Sequence, residues 1–245
     1  MKLFVFLLLL SAAPAAQAHL PYLEENNTEI TVAQPEISKA YYGWLNGMPA
    51  VYTISSPKPF KLYLNLMSPQ LSDARVDFSA DIYDKDGELI QTMNGIDFVW
   101  LAYYEPFAND YYIRGPEYEA DVPAGIYQVE VRNSSNYGDY VLTVGQKEDQ
   151  SLGEFIRTMA VLPEVKEKFF GKTGWEAYQG FAGMYALGML TVIFVVLLLL
   201  FFNIRRRILK NRLDNERDEY KNNRGSRGKN YIDLSEVQRL FGGRL

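Results

Sequence analysis

With 245 residues, one histidine and no cysteine, the chain is long enough to bury one exported core, but it has no material for disulfide staples, a thiol nucleophile or a Cys-ligated metal site. Its net charge of −5 hides two opposite fields: −12 over residues 19–180, from 24 acidic and 12 basic residues, and +6 over residues 203–245. So acidic an N-terminal part argues against nucleic acid and anionic lipid as its partners.

Residues 1–18 read as a signal peptide. Lys2 is the positive n-region, Leu3 to Leu10 the apolar h-region, and Ala16-Gln17-Ala18 a small-x-small cleavage site. The apolar run is far shorter than the roughly 20 residues a membrane-spanning helix needs. Cleavage after Ala18 makes His19 the new N-terminus, and the absence of cysteine from an exported domain points to a bacterial envelope.

Residues 19–148 read as an extracytoplasmic domain with a period of two. Apolar and polar side chains alternate through Ala50–Ser55, Phe60–Leu66, Val76–Tyr83, Ile126–Asn133 and Tyr137–Gly145. Such alternation puts one face on a core and the other in water. Asn46-Gly47, Asp86-Gly87, Asn94-Gly95 and Ala124-Gly125 mark turns between the runs, and Asp84 to Gly87 centre the clearest hairpin. Strands at this spacing predict a mainly β fold, an antiparallel β-sandwich.

The end of this domain, Val122 to Gly145, resembles the last two strands of bacterial pre-peptidase C-terminal-type β-sandwich modules. The matching positions are Ala124, Gly125, Tyr127, Gly138, Tyr140 and Leu142. The resemblance covers this segment alone and implies a jelly-roll-like binding or accessory module without catalysis. The architecture as a whole also resembles bacterial single-pass membrane proteins of similar size.

Residues 149–180 switch to helical period. Phe155, Ile156, Met159, Leu162, Val165 and Phe169 recur at three- and four-residue steps, predicting an amphipathic juxtamembrane connector that Pro163 kinks or restarts at Glu164. Residues 181–203 read as one transmembrane helix: Phe181 to Phe202 carry no charge, and Trp175 and Tyr178 precede them at the depth that amphipathic rings favour. Arg205-Arg206-Arg207, Lys210 and Arg212 follow, and basic flanks stay cytoplasmic. Signal peptide and flank agree on a type I topology in a bacterial cell membrane, with the N-terminal domain outside and residues 204–245 a basic cytoplasmic tail. Within that tail, 222–230 read as a polar linker and 233–241 as a short helix. Its face of Leu234, Val237, Leu240 and Phe241 suits docking of a protein partner.

Catalytic chemistry has little to work with. Histidine-based triads would need His19, and metal-hydrolase, P-loop and dinucleotide motifs are absent. The chain therefore reads as non-enzymatic, and no cofactor is expected. Two stretches offer metal chemistry of a simpler kind: a terminal His19 could chelate Cu(II) through its α-amine and imidazole, and Asp84 to Glu88 offer oxygens for Ca2+ but equally make a hairpin turn. The ligand-binding candidates are Trp100, Tyr103, Tyr104, Glu105, Tyr111, Tyr112 and Arg114, in an aromatic segment that reads either as a loop platform for sugars or peptides or as core. The function expected is a membrane-anchored binding or interaction module. A copper-handling envelope protein and a structural subunit of a membrane complex are the alternatives, and the oligomeric state is open.

Overall fold

The computed structural model describes residues 19–24, 28–149 and 151–228, with side chains left out at 220 and 223–228. The signal-peptide reading of 1–18 and the docking face of Leu234, Val237, Leu240 and Phe241 lie outside the described residues. The described chain is mainly β, in two sheets, followed by helices.

In chain order the strands are β1 (Leu20–Glu24), β2 (Glu29–Val32), β3 (Lys39–Asn46), β4 (Ala50–Ser56), β5 (Phe60–Pro69), β6 (Ser79–Tyr83), β7 (Leu89–Met93), β8 (Leu101–Glu105), β9 (Asp110–Val122), β10 (Gly125–Arg132) and β11 (Tyr137–Val144). One sheet has the order β1-β3-β11-β5-β9-β8 and the other β2-β4-β10-β6-β7. Most pairs are antiparallel, but β1 runs parallel to β3 and β2 parallel to β4, a departure from the expected all-antiparallel order. A parallel pair needs a crossover. The chain supplies two by alternating sheets, so that β2 in one sheet carries the connection from β1 to β3 and β3 in the other carries that from β2 to β4.

The inward residues of both sheets meet in one hydrophobic cluster that includes Val32, Tyr52, Ile54, Leu62, Leu64, Leu66, Phe78, Ile82, Val129, Tyr140 and Leu142. Gly43 on β3 leaves the space that the Tyr140 ring fills, since a Cβ there would lie 2.6 Å from it. The Tyr140 hydroxyl then pairs with that of Tyr52 at 2.8 Å inside the core.

The first sheet is covered on its other face as well. A second cluster joins Ala40, Tyr42, Met67, Tyr112 and Val141 to Val165, Phe169 and Phe170 of helix α1 (Leu152–Phe170). This is why β3 carries so little alternation, and why β5, although it alternates in sequence over Phe60–Leu66, is buried at every residue from Leu62 to Pro69. Asn65, buried there, donates to the carbonyls of Gly115 and Pro116 (both 3.3 Å), where the β5–β9 register shifts and a proline interrupts β9.

Helix α1 is N-capped by Ser151 and ends at Gly171, whose φ of 60° suits a left-handed cap. Pro163 lies inside one continuous helix, so of the two expectations from sequence the restart at Glu164 does not occur. A proline at that position leaves the carbonyl four residues earlier without its helical donor. The hydroxyl of Tyr178, in the 3-10 turn Gly174–Tyr178, donates to that carbonyl, the one of Met159, at 3.1 Å.

Helix α2 (Phe181–Gly228) is long and apolar enough to cross a membrane. It continues to Gly228, through the first part of the stretch read as a linker. The described chain forms two compact units, one ending at Leu187 with the sheets, α1 and the first turns of α2, the other being the rest of α2.

Candidate functional site

The aromatic segment proves to be an edge hairpin rather than a loop. Its register sets Tyr103 opposite Tyr112, Tyr104 opposite Tyr111 and Glu105 opposite Asp110. Strand alternation therefore divides the candidates between two faces. Tyr112 turns under helix α1, is 2% exposed, and shares a hydroxyl–hydroxyl bond of 2.7 Å with Tyr42. Trp100 packs against the main cluster, donates from Nε1 to the Gly95 carbonyl at 2.8 Å, and lies where a Cβ on Gly115 would be.

Tyr104 and Tyr111 point the other way, with ring centroids 4.9 Å apart and exposures of 44% and 56%. The Tyr104 hydroxyl donates to Asn109 at 3.0 Å. Arg114 lies over the Tyr103 ring, 5.8 Å from its centroid, and donates to Tyr63 (3.2 Å) and Glu117 (2.9 Å). Tyr104 and Tyr111 thus form an exposed pair on one face of the hairpin, Arg114 and the half-buried Tyr103 share the other face with the buried Glu105 and Tyr112, and Trp100 packs against the main cluster.

The turn closing this hairpin anchors the helices. Glu105 accepts from the backbone N–H groups of Phe107 (2.9 Å) and Ala108 (2.7 Å). Asp110, fully buried, holds Lys166 of α1 at 2.7 Å and Lys172 at 2.9 Å, while Lys166 also donates to the Ala108 carbonyl. Burial pushes the Lys166 ammonium below the usual lysine range, against the pull of Asp110, and pushes the Glu105 carboxyl above the usual carboxylate range. The first turn of α2 hangs on the same loop, with Ala182 N–H donating to the Phe107 carbonyl at 3.0 Å.

His19 lies beneath helix α1 rather than hanging from the domain. Its Nδ1 is 2.5 Å from the Ser38 hydroxyl, and Leu20 N–H donates to the Ser38 carbonyl at 3.0 Å. It lines a small, partly open cavity of about 20 Å3 with Tyr42, Met67, Glu105, Tyr112 and Leu162. Burial, with a smaller push from the Arg114 guanidinium, holds the imidazole pKa down at about 4, so the ring is neutral at pH 7.

A Cu(II) chelate closed by the α-amine and Nδ1 would have to take Nδ1 from Ser38. Among the described residues, no three His, Cys, Asp or Glu side chains gather as a metal-holding group. Asp84 spends one oxygen on the N–H groups of Asp86 and Glu88 (both 2.9 Å), the hairpin-turn reading of that segment.

Composition pointed to none of Asp110, Lys166 and Lys172. One sign was available: Lys166 stands on the helical stripe of Leu162, Val165 and Phe169, where an amphipathic helix has no ordinary use for a charge.

No family model and no curated protein matches the chain. Among solved structures, the chain is similar to the pre-peptidase C-terminal domain of a collagenase from Bacillus anthracis, with a TM-score of 0.30 and 12% identity, over 50% of this chain and 97% of that domain. It is also similar to a β-glucosidase from Paenibacillus barengoltzii, with a TM-score of 0.23 and 9% identity, over 54% of this chain and 14% of that one.

Proposed function

We propose that the chain is a non-enzymatic, membrane-anchored binding module of the bacterial envelope. In this reading the two sheets are a jelly-roll-like sandwich outside the cytoplasm, helix α2 is the anchor, and the basic tail faces inward. The observation that carries it is the exposed ring pair of Tyr104 and Tyr111 on the edge hairpin. Large exposed aromatic faces form a low-entropy surface for peptide or glycan groups. The absence of catalysis is supported by the chemistry of the single histidine, which is neutral, half-buried and tied to Ser38.

The test uses full-length protein in detergent and a panel of envelope glycans and peptides. Replacing both Tyr104 and Tyr111 by Ala removes exposed rings, so the melting temperature should hold while binding of any captured ligand falls at least tenfold. Unchanged binding by the double variant would place recognition elsewhere.

A further inference from the structure

We propose that the α-ammonium created by cleavage after Ala18 enters the cavity under helix α1 and pairs with the Glu105 carboxylate, locking the mature N-terminus into the domain. The inference rests on reading residues 1–18 as a cleaved signal.

Three observations converge on it. First, the residue expected to begin the mature chain is already held in place. First residues ordinarily fray, yet His19 is bonded to Ser38 through its ring, and β1 pairs with β3 from Leu20 onward. Second, His19 and Glu105 line the same cavity, and its volume of about 20 Å3 has room for a group the size of one water or one ammonium.

Third, Glu105 is a buried acid served by neutral donors. It is 7% exposed, and its two oxygens take the N–H groups of Phe107 and Ala108. The nearby lysines, Lys166 and Lys172, both make their ion pairs with Asp110. A buried carboxylate without its own cation is costly, and bringing one to it recovers much of that cost.

Among the described residues, the charged groups that act on the site are Lys166 and Asp110, which reach Glu105, and Arg114 on β9, whose field reaches His19. The phenols of Tyr42 and Tyr112 complete the wall. The His19 ring is neutral, so the cation that residue 19 can bring is its free amine. Before cleavage that nitrogen is an uncharged amide. The pair therefore exists in the processed protein alone.

The experiment takes full-length protein from its own membranes, sequences the N-terminus, and measures the α-amine by reductive 13C-methylation and NMR titration. The proposal expects a start at His19 and an amine titrating at least one unit above the ordinary range of about 7.7–8.0. It also expects amine labelling at neutral pH at least tenfold slower than in a form extended by one alanine. Glu105→Gln should restore fast labelling. A start at another residue overturns the cleavage reading and the proposal together. A start at His19 with an ordinary titration overturns the pairing and leaves the cleavage reading standing. The wild-type titration decides even if Glu105→Gln fails to fold.

Discussion

Gly43 shows how a single absent atom sets the core. Its missing Cβ is where the Tyr140 ring lies, and that ring positions the hydroxyl bonded to Tyr52. Gly43→Ala forces an overpacked contact between backbone and a buried ring, so it should destabilise the domain by about 1–3 kcal/mol, read as a lower denaturant midpoint. His19 makes the second prediction at this scale. Its pKa is about 4 folded against 6.5 unfolded, so between those values the unfolded chain binds more protons. Stability should therefore fall as pH drops from about 6.5 to about 4, by up to roughly 3 kcal/mol. Glu105, raised by burial, acts in the opposite sense, its contribution weakening as pH climbs through its own titration. Thermal unfolding between pH 7 and pH 4 should show a smaller acid loss for His19→Gln than for wild type, and equal losses would contradict the assignment.

At the scale of elements, helix α1 depends on more than its apolar stripe. Val165, Phe169 and Phe170 pack on the sheet, but the charged contact at their centre is Lys166 with Asp110, both about 1% exposed. Removing one partner of a buried pair leaves the other uncompensated, which typically costs about 3–5 kcal/mol. Asp110→Asn strands two lysines, whereas Lys166→Met leaves Asp110 with Lys172. The aspartate variant should therefore be the more damaged, with loss of amide-exchange protection concentrated in residues 152–170. Equal protection in both variants would mean that the apolar contacts alone hold the helix. Much of α1 was legible beforehand, because three- and four-residue recurrence marks a helix whatever it packs on. The fate of Pro163 was not, because the donor to its orphaned carbonyl, the Tyr178 hydroxyl, comes from a separate turn.

At the scale of the whole molecule, the span in helix α2 makes a direct prediction. Arginines at both Leu197 and Leu198 should cost about 5–7 kcal/mol of insertion, so the full-length variant should be extracted from membranes by alkaline carbonate while wild type stays in the pellet. Retention of the variant would remove α2 as the anchor. The local signals of the sequence determined the alternating strands β4, β5, β10 and β11, the hairpin at Asp84–Gly87, helix α1 and the apolar span, since each depends on periodicity or turn chemistry within a few residues. They could not reveal β3, which is buried on both faces and so loses its alternation, or β1 and β2, whose parallel pairing depends on a crossover through the opposite sheet. Tertiary structure alone decided that Trp100 and Tyr112 are core while Tyr104 and Tyr111 are surface. It alone brought His19 beside Glu105, and Asp110 beside Lys166, because side chains so distant in sequence are juxtaposed only when the sheet and its covering helix have packed.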